Sequence, residues 1–210
     1  MKKMNNKGFS LVELIIVIAI MAILAGAIAP ALIRYIDKSR RSNDVSSCDT
    51  IETSVNTALG NESISEYLTS NAAGTVITLT PAGKFGSTTG YTLAKSNKAI
   101  ALVGNTDTTW KSSSGKTIAE CQDLLVNELG QSLNGTVPKL KYKKDAKTND
   151  AEPSQSFYVY VSPKGSVEVY IGESGKEATF TSNYDATAKV LDGGSDVVYE
   201  ICPEVCDSYQ

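Results

Sequence analysis

The chain has 210 residues, 41% of them apolar and 20% charged, with four cysteines and no histidine. Without an imidazole, histidine-based triads, most zinc sites and haem ligation are excluded. A formal net charge of −3 argues against general nucleic-acid binding, and no specific nucleic-acid partner is expected.

From Phe9 to Ala29 the chain carries one ionisable side chain, Glu13, in an otherwise apolar run. As a helix rising ~1.5 Å per residue, the run spans roughly 31 Å, about one bilayer core. The preceding MKKMNNKG holds Lys2, Lys3 and Lys7 and no acid. Such a flank keeps its end in the cytoplasm and sends the remainder outward. A secretory signal cleaved near Ala27-Ile28-Ala29 and a plain membrane anchor are the ordinary explanations. Neither requires Glu13, since a carboxylate near the centre of a span costs about 2.5–3.5 kcal/mol, less toward its end. An acid there needs a function and a partner.

The string Lys7-Gly8-Phe9-Ser10-Leu11-Val12-Glu13 resembles the processing site of type IV pilins and related pseudopilins. A short basic leader, Gly before Phe, Glu four residues on and a long apolar run coincide. The resemblance implies that a membrane prepilin peptidase cuts after Gly8 and N-methylates Phe9, and that Glu13 serves filament assembly. It covers roughly the first 30 residues. It further implies a cleaved leader (1–8), a transmembrane and filament-core helix (9–30), an amphipathic continuation (31–60) and an extracellular head (61–210). Cleavage at this point keeps the apolar run and removes three lysines, taking the formal charge from −3 to −6. It leaves an α-amino group on Phe9, with which Glu13 of a neighbouring subunit can pair in a low-dielectric bundle.

Beyond the membrane, Val45, Cys48, Ile51, Val55 and Leu59 recur at steps of three and four, while Asp44, Asp49, Glu52 and Asn56 read as the solvated face. Gly60-Asn61 is a stop signal. One helix from Phe9 to Leu59 would measure roughly 76 Å, apolar all round in its first half and amphipathic in its second. Pro30 cannot donate to the carbonyl of Gly26, which predicts a kink in the isolated subunit. The resemblance implies melting around Gly26 and Pro30 in a filament. Arg34, Lys38, Arg40 and Arg41 follow; they suit either an interfacial, solvated face or salt bridges to the head of another subunit. Residues 61–210 hold 18 acids and 13 lysines, so the opposite charge is available.

The head turns rich in Ser, Thr, Gly and Asn. Val76 to Leu79 and Ala99 to Val103 read as short strands. Thr117-Ile118-Ala119-Glu120 matches a capping box, followed by Cys121, Leu124, Leu125 and Leu129 on one helical face before Gly130. Phe157–Val161 and Val167–Ile171 alternate around Pro163-Lys164-Gly165 and predict a hairpin. Its apolar face (Phe157, Val159, Val161, Val167, Val169, Ile171) should pack on the long helix. Ala178 to Thr181 and Val197 to Ile201 can add strands. The expected fold is α+β, a long N-terminal helix packed on an antiparallel sheet.

Four cysteines in an exported head predict two disulfides. Three pairings exist. Cys48–Cys121 with a local Cys202–Cys206 is preferred because it needs one long-range coincidence. The alternative ties the two tail cysteines separately to the two helices. Asp192-Gly193-Gly194-Ser195-Asp196 reads as a tight turn rather than a calcium loop. Lys139 to Lys144 reads as a solvated strand and loop rather than an anionic-surface site, and Trp110 as packing. No catalytic constellation, metal or cofactor is expected.

The resemblance thus implies a structural subunit of an extracellular type IV pilus, serving adhesion, motility or DNA uptake. Its partners would be copies of itself in a helical filament, the prepilin peptidase/methyltransferase, the pilus assembly machinery and, before assembly, the inner membrane. The alternatives are a pseudopilin of a type II secretion-like or competence machine, and a membrane-anchored extracellular binding module.

Overall fold

The computed structural model describes residues 10–86, 99–142, 155–173, 184–185, 190–192, 197–206 and 209. Met1–Arg40 and Arg41–Gln210 form two compact units. Helix α1 (Leu11–Leu59) contributes to both, and Pro30 lies inside it.

In the first unit α1 is long and apolar enough to cross a membrane, and its apolar window has no buried residue. Leu11, Ile15, Ile18, Ile23, Leu32 and Tyr35 are all exposed, on every side of the helix. An apolar surface without a partner is unstable in water and marks a segment meant for lipid or other helices.

The second unit buries Asp44, Cys48, Ile51, Ser54, Val55 and Ala58 of α1, a stripe with steps of three and four. The many hydroxyl residues here do not break the helix. Ser47, Thr50, Ser54 and Thr57 each donate to the carbonyl four residues back. Gly60 closes the helix, and Asn61 then caps a short helix α2 (Glu62–Thr69) by accepting the Ser63 amide at 3.1 Å. The expectation of strands and turns after Gly60 had no place for α2, although Ile64, Tyr67 and Leu68 supply its apolar face.

Strands β1 (Thr75–Leu79) and β2 (Ile100–Val103) precede α3 (Ile118–Ser132). Strands β3 (Gln155–Val161), β4 (Val167–Glu173), β5 (Tyr184–Asp185), β6 (Val190–Asp192) and β7 (Val197–Cys202) follow. All pair antiparallel in one sheet of order β2-β1-β3-β4-β7-β6-β5. The α+β architecture and the β3–β4 hairpin are as expected. Phe157 faces Ile171, Val159 faces Val169 and Val161 faces Val167. The Ser162 to Ser166 turn places Gly165 at φ +84°.

The α3 capping box is present: Glu120 accepts the Thr117 amide at 2.8 Å, and Thr117 Oγ1 accepts the Glu120 amide at 3.4 Å. The helix runs past Gly130, which is buried inside it. The inward face of the hairpin packs with Ile51 and Val55 of α1, Ile64 and Leu68 of α2 and Leu125 and Leu129 of α3. Val76, Tyr158, Tyr170 and Val198 form a smaller cluster on the opposite face. Ala178 to Thr181 and Gly193 to Asp196 lie outside the described residues.

Candidate functional site

Two features carry chemistry: the start of α1 and the place where the chain's tail meets α1. Gly8 and Phe9 lie outside the described residues. Glu13 stands in the first turn of α1, where its carboxylate accepts the Ser10 amide at 2.9 Å. An acid here complements the exposed amides and positive end of the helix. Within the chain, Glu13 is therefore a helix cap. At Gly26 a methyl group would meet nothing within 4 Å. Among the described residues, then, no packing requires glycine there. Arg34 and Lys38 are exposed, and Arg40 lies 4.0 Å from Asp37 one turn earlier.

Arg41 belongs to the second unit and is engaged within it. Its Nη2 donates to the Tyr142 hydroxyl at 2.9 Å, and its guanidinium lies 4.5 Å from the centre of the Tyr142 ring. It also lies 5.9 Å from the centre of the Tyr209 ring. Beside it, Asp44 is fully buried, which corrects its placement on the solvated face. Its Oδ1 accepts the Lys141 amide at 2.7 Å, its Oδ2 the Tyr142 amide at 2.8 Å, and the Tyr209 hydroxyl donates to it at 3.4 Å. Burial pushes the Asp44 carboxyl above its ordinary range, and these hydrogen bonds pull it partly back. Burial likewise pushes the Tyr209 hydroxyl up, with the Asp44 and Cys48 charges adding to it. The basic stretch is thus not wholly solvated, because Tyr142 is buried and held by Asp44.

The signal for this cluster was legible: Asp44 lies four residues before Cys48 and seven before Ile51, on the buried stripe itself. Asp49 is exposed, as the pattern expected, whereas Glu52 is half-buried. Trp110 is partly buried and meets Tyr67 edge-on at 6.1 Å.

All four cysteines are buried. Burial pushes the Cys48 thiol up, with Cys202, Asp44 and Asp49 adding to it, and burial likewise raises the Cys121 thiol, with Glu120 adding. Cys202 Sγ donates to Asp49 Oδ1 at 3.1 Å. The ligand atoms of Asp49, Glu52 and Cys202 fall within 4.8 Å of one another, the one such grouping among the described residues that can hold a cation. Burial, with Asp49, Glu52 and Glu200 adding to it, pushes the Cys202 thiol up.

A bulge aims Cys202. Val169 pairs with Cys202 but Tyr170 with Glu200, so Ile201 is an extra residue in β7. Strict alternation would turn Cys202 away from Ile201; the bulge brings both into the main core.

Comparison with known proteins bears on the first feature. Residues 3–29 match the family model for the prokaryotic N-terminal methylation motif. A stretch of 68 residues, 32% of the chain, is 41% identical to "Prepilin peptidase-dependent protein A" of Clostridium perfringens (strain 13 / Type A). It spans 49% of that relative, about half its length. No solved structure matches the chain significantly. The chain therefore carries a prepilin-type leader followed by an apolar helix, as a membrane-anchored precursor does.

Proposed function

We propose that the chain is a non-catalytic structural subunit of an extracellular type IV pilus, processed between Gly8 and Phe9 and polymerised through α1. The observation that carries this is the pairing of a methylation motif over residues 3–29 with an apolar helix exposed on all sides. An ordinary signal peptide is discarded with its apolar run. This leader is cut ahead of the run, which leaves a greasy helix that only lipid or sibling helices can cover. Glu13 and the α-amine of Phe9 on an adjacent copy then select one axial register, because either charge alone is costly once desolvated. Gly26, whose Cα faces open space in the single chain, leaves room for a neighbouring helix. Adhesion, motility and DNA uptake are the roles such a fibre serves.

The intact mass of protein sheared from cells tests this reading. The mature chain is expected to lack residues 1–8 and to carry one methyl group on Phe9. A chain that retains Met1, or begins after Ala29, overturns it.

A further inference from the structure

We propose that Cys48 and Cys202 form a disulfide that fastens the long helix to the last strand of the head. The inference rests on the export proposed above, since such bonds persist in oxidising compartments.

The geometry points to this pair by position. Cys48 lies one turn beyond Asp44 on the same helical face and directly before Asp49. Asp44 touches Tyr209, and Asp49 touches Cys202. The tail therefore lies against α1 on both sides of Cys48. Both thiols are almost completely buried in one core. The extra Ile201 in β7 turns Cys202 toward that core, and bulges characteristically re-aim a side chain in this way.

In the folded head both thiols are buried in the core, out of reach of an oxidant. The bond therefore forms as the exported chain folds, by exchange with a disulfide oxidant. Each thiol gives up its proton, the oxidant's disulfide is reduced to two thiols, and one new S–S bond closes the chain from residue 48 to residue 202. Once folded, the same burial shields it from reductants. The bond also removes the thiol from the Asp49, Glu52 and Cys202 grouping, so disulfide and metal exclude one another.

The experiment uses full-length chain purified without reductant, alkylated, and digested with trypsin and a glutamate-specific protease. Cleavage after Arg41 and Glu52 isolates Cys48; cleavage after Glu200 and Glu204 separates Cys202 from Cys206. The expected product joins the Cys48 and Cys202 peptides and is two hydrogens lighter than their sum. It persists in Cys121→Ser. A second arm refolds reduced full-length chain with oxidised glutathione and expects the same joined peptide. Cys202 joined to Cys206 or Cys121 overturns the proposal, as do both thiols alkylated in the two arms, whether or not zinc is bound. The amino-terminal peptide of the same digest reports on export separately. A methylated Phe9 start with free thiols rejects the disulfide alone, and a retained Met1 with the refolded link rejects the export reading alone.

Discussion

Asp44, fully buried on α1, accepts the amide of Tyr142 at 2.8 Å. Its other oxygen takes the Lys141 amide, so one side chain closes two backbone donors at residues that belong to no helix or strand. Asp44→Ala leaves both amides without this acceptor and should cost about 2–4 kcal/mol. Asp44→Asn keeps one oxygen and turns an N–H toward the second amide, so it should fall between the two. Denaturant unfolding of the full chain in detergent measures both. Equal stability of Asp44→Ala and the parent chain would remove Asp44 from any structural role.

The same carboxyl predicts a pH dependence of definite sign. Its folded-state pKa is raised, with burial the largest cause. The folded state thus holds this proton more tightly than the unfolded chain. The resulting stabilisation is complete below the ordinary value of 3.8 and is lost as pH rises through the raised value. Glu120 behaves oppositely, since hydrogen bonds from the Thr117 amide and hydroxyl lower its pKa. Its contribution is present above the ordinary glutamate value and is lost as pH falls through the depressed one. Unfolding measured from pH 3 to 7 should show the gap between the parent chain and Asp44→Ala narrowing as pH rises. The gap to Glu120→Gln should widen over the same range.

Gly172 sits opposite Val198 across β4 and β7. A methyl group there would lie 2.8 Å from Val198 Cγ2 and 3.0 Å from Val198 Cα. The first contact yields to a side-chain change, and the second does not. Gly172→Ala should destabilise the head by about 1–3 kcal/mol. Adding Val198→Ala should recover only part of this, because the backbone contact remains. Full recovery in the double variant would mean that only the side chain was in the way.

Much of this architecture was legible because its signals are local. The capping box at Thr117 and Glu120 needs four residues, and the β3–β4 hairpin needs two alternating runs around one turn. Two kinds of feature were missed. Helix α2 is only eight residues long, and Asn61 both follows one helix and caps the next, so a stop signal hid a start. Asp44 was placed by its polarity, although its spacing put it on the buried stripe. Its partners lie 97 and 98 residues away, and no local pattern announces them. The bulge at Ile201 is likewise a property of two paired strands, invisible in either one.

Glu13 has one role within the chain and a second in the proposed fibre, and one pair of substitutions separates them. Within the chain its carboxylate accepts the Ser10 amide at 2.9 Å, a local cap that a neutral carbonyl oxygen serves nearly as well. In the proposed fibre it also meets the Phe9 amine of a neighbour, a role that requires its charge. Glu13→Gln keeps an acceptor and loses the charge, whereas Glu13→Ala loses both. Were capping the whole function, the glutamine variant would assemble like the parent chain. Were the charge pair decisive, both variants would reach the membrane and be processed, yet form few fibres. Breaking a buried pair at about 3 kcal/mol lowers association roughly a hundredfold. Sheared-fibre yield, scaled to processed protein in the membrane, should therefore fall by about that factor in both variants. Wild-type fibre yield from Glu13→Gln would leave Glu13 as a cap and remove the charge pair from the assembly mechanism.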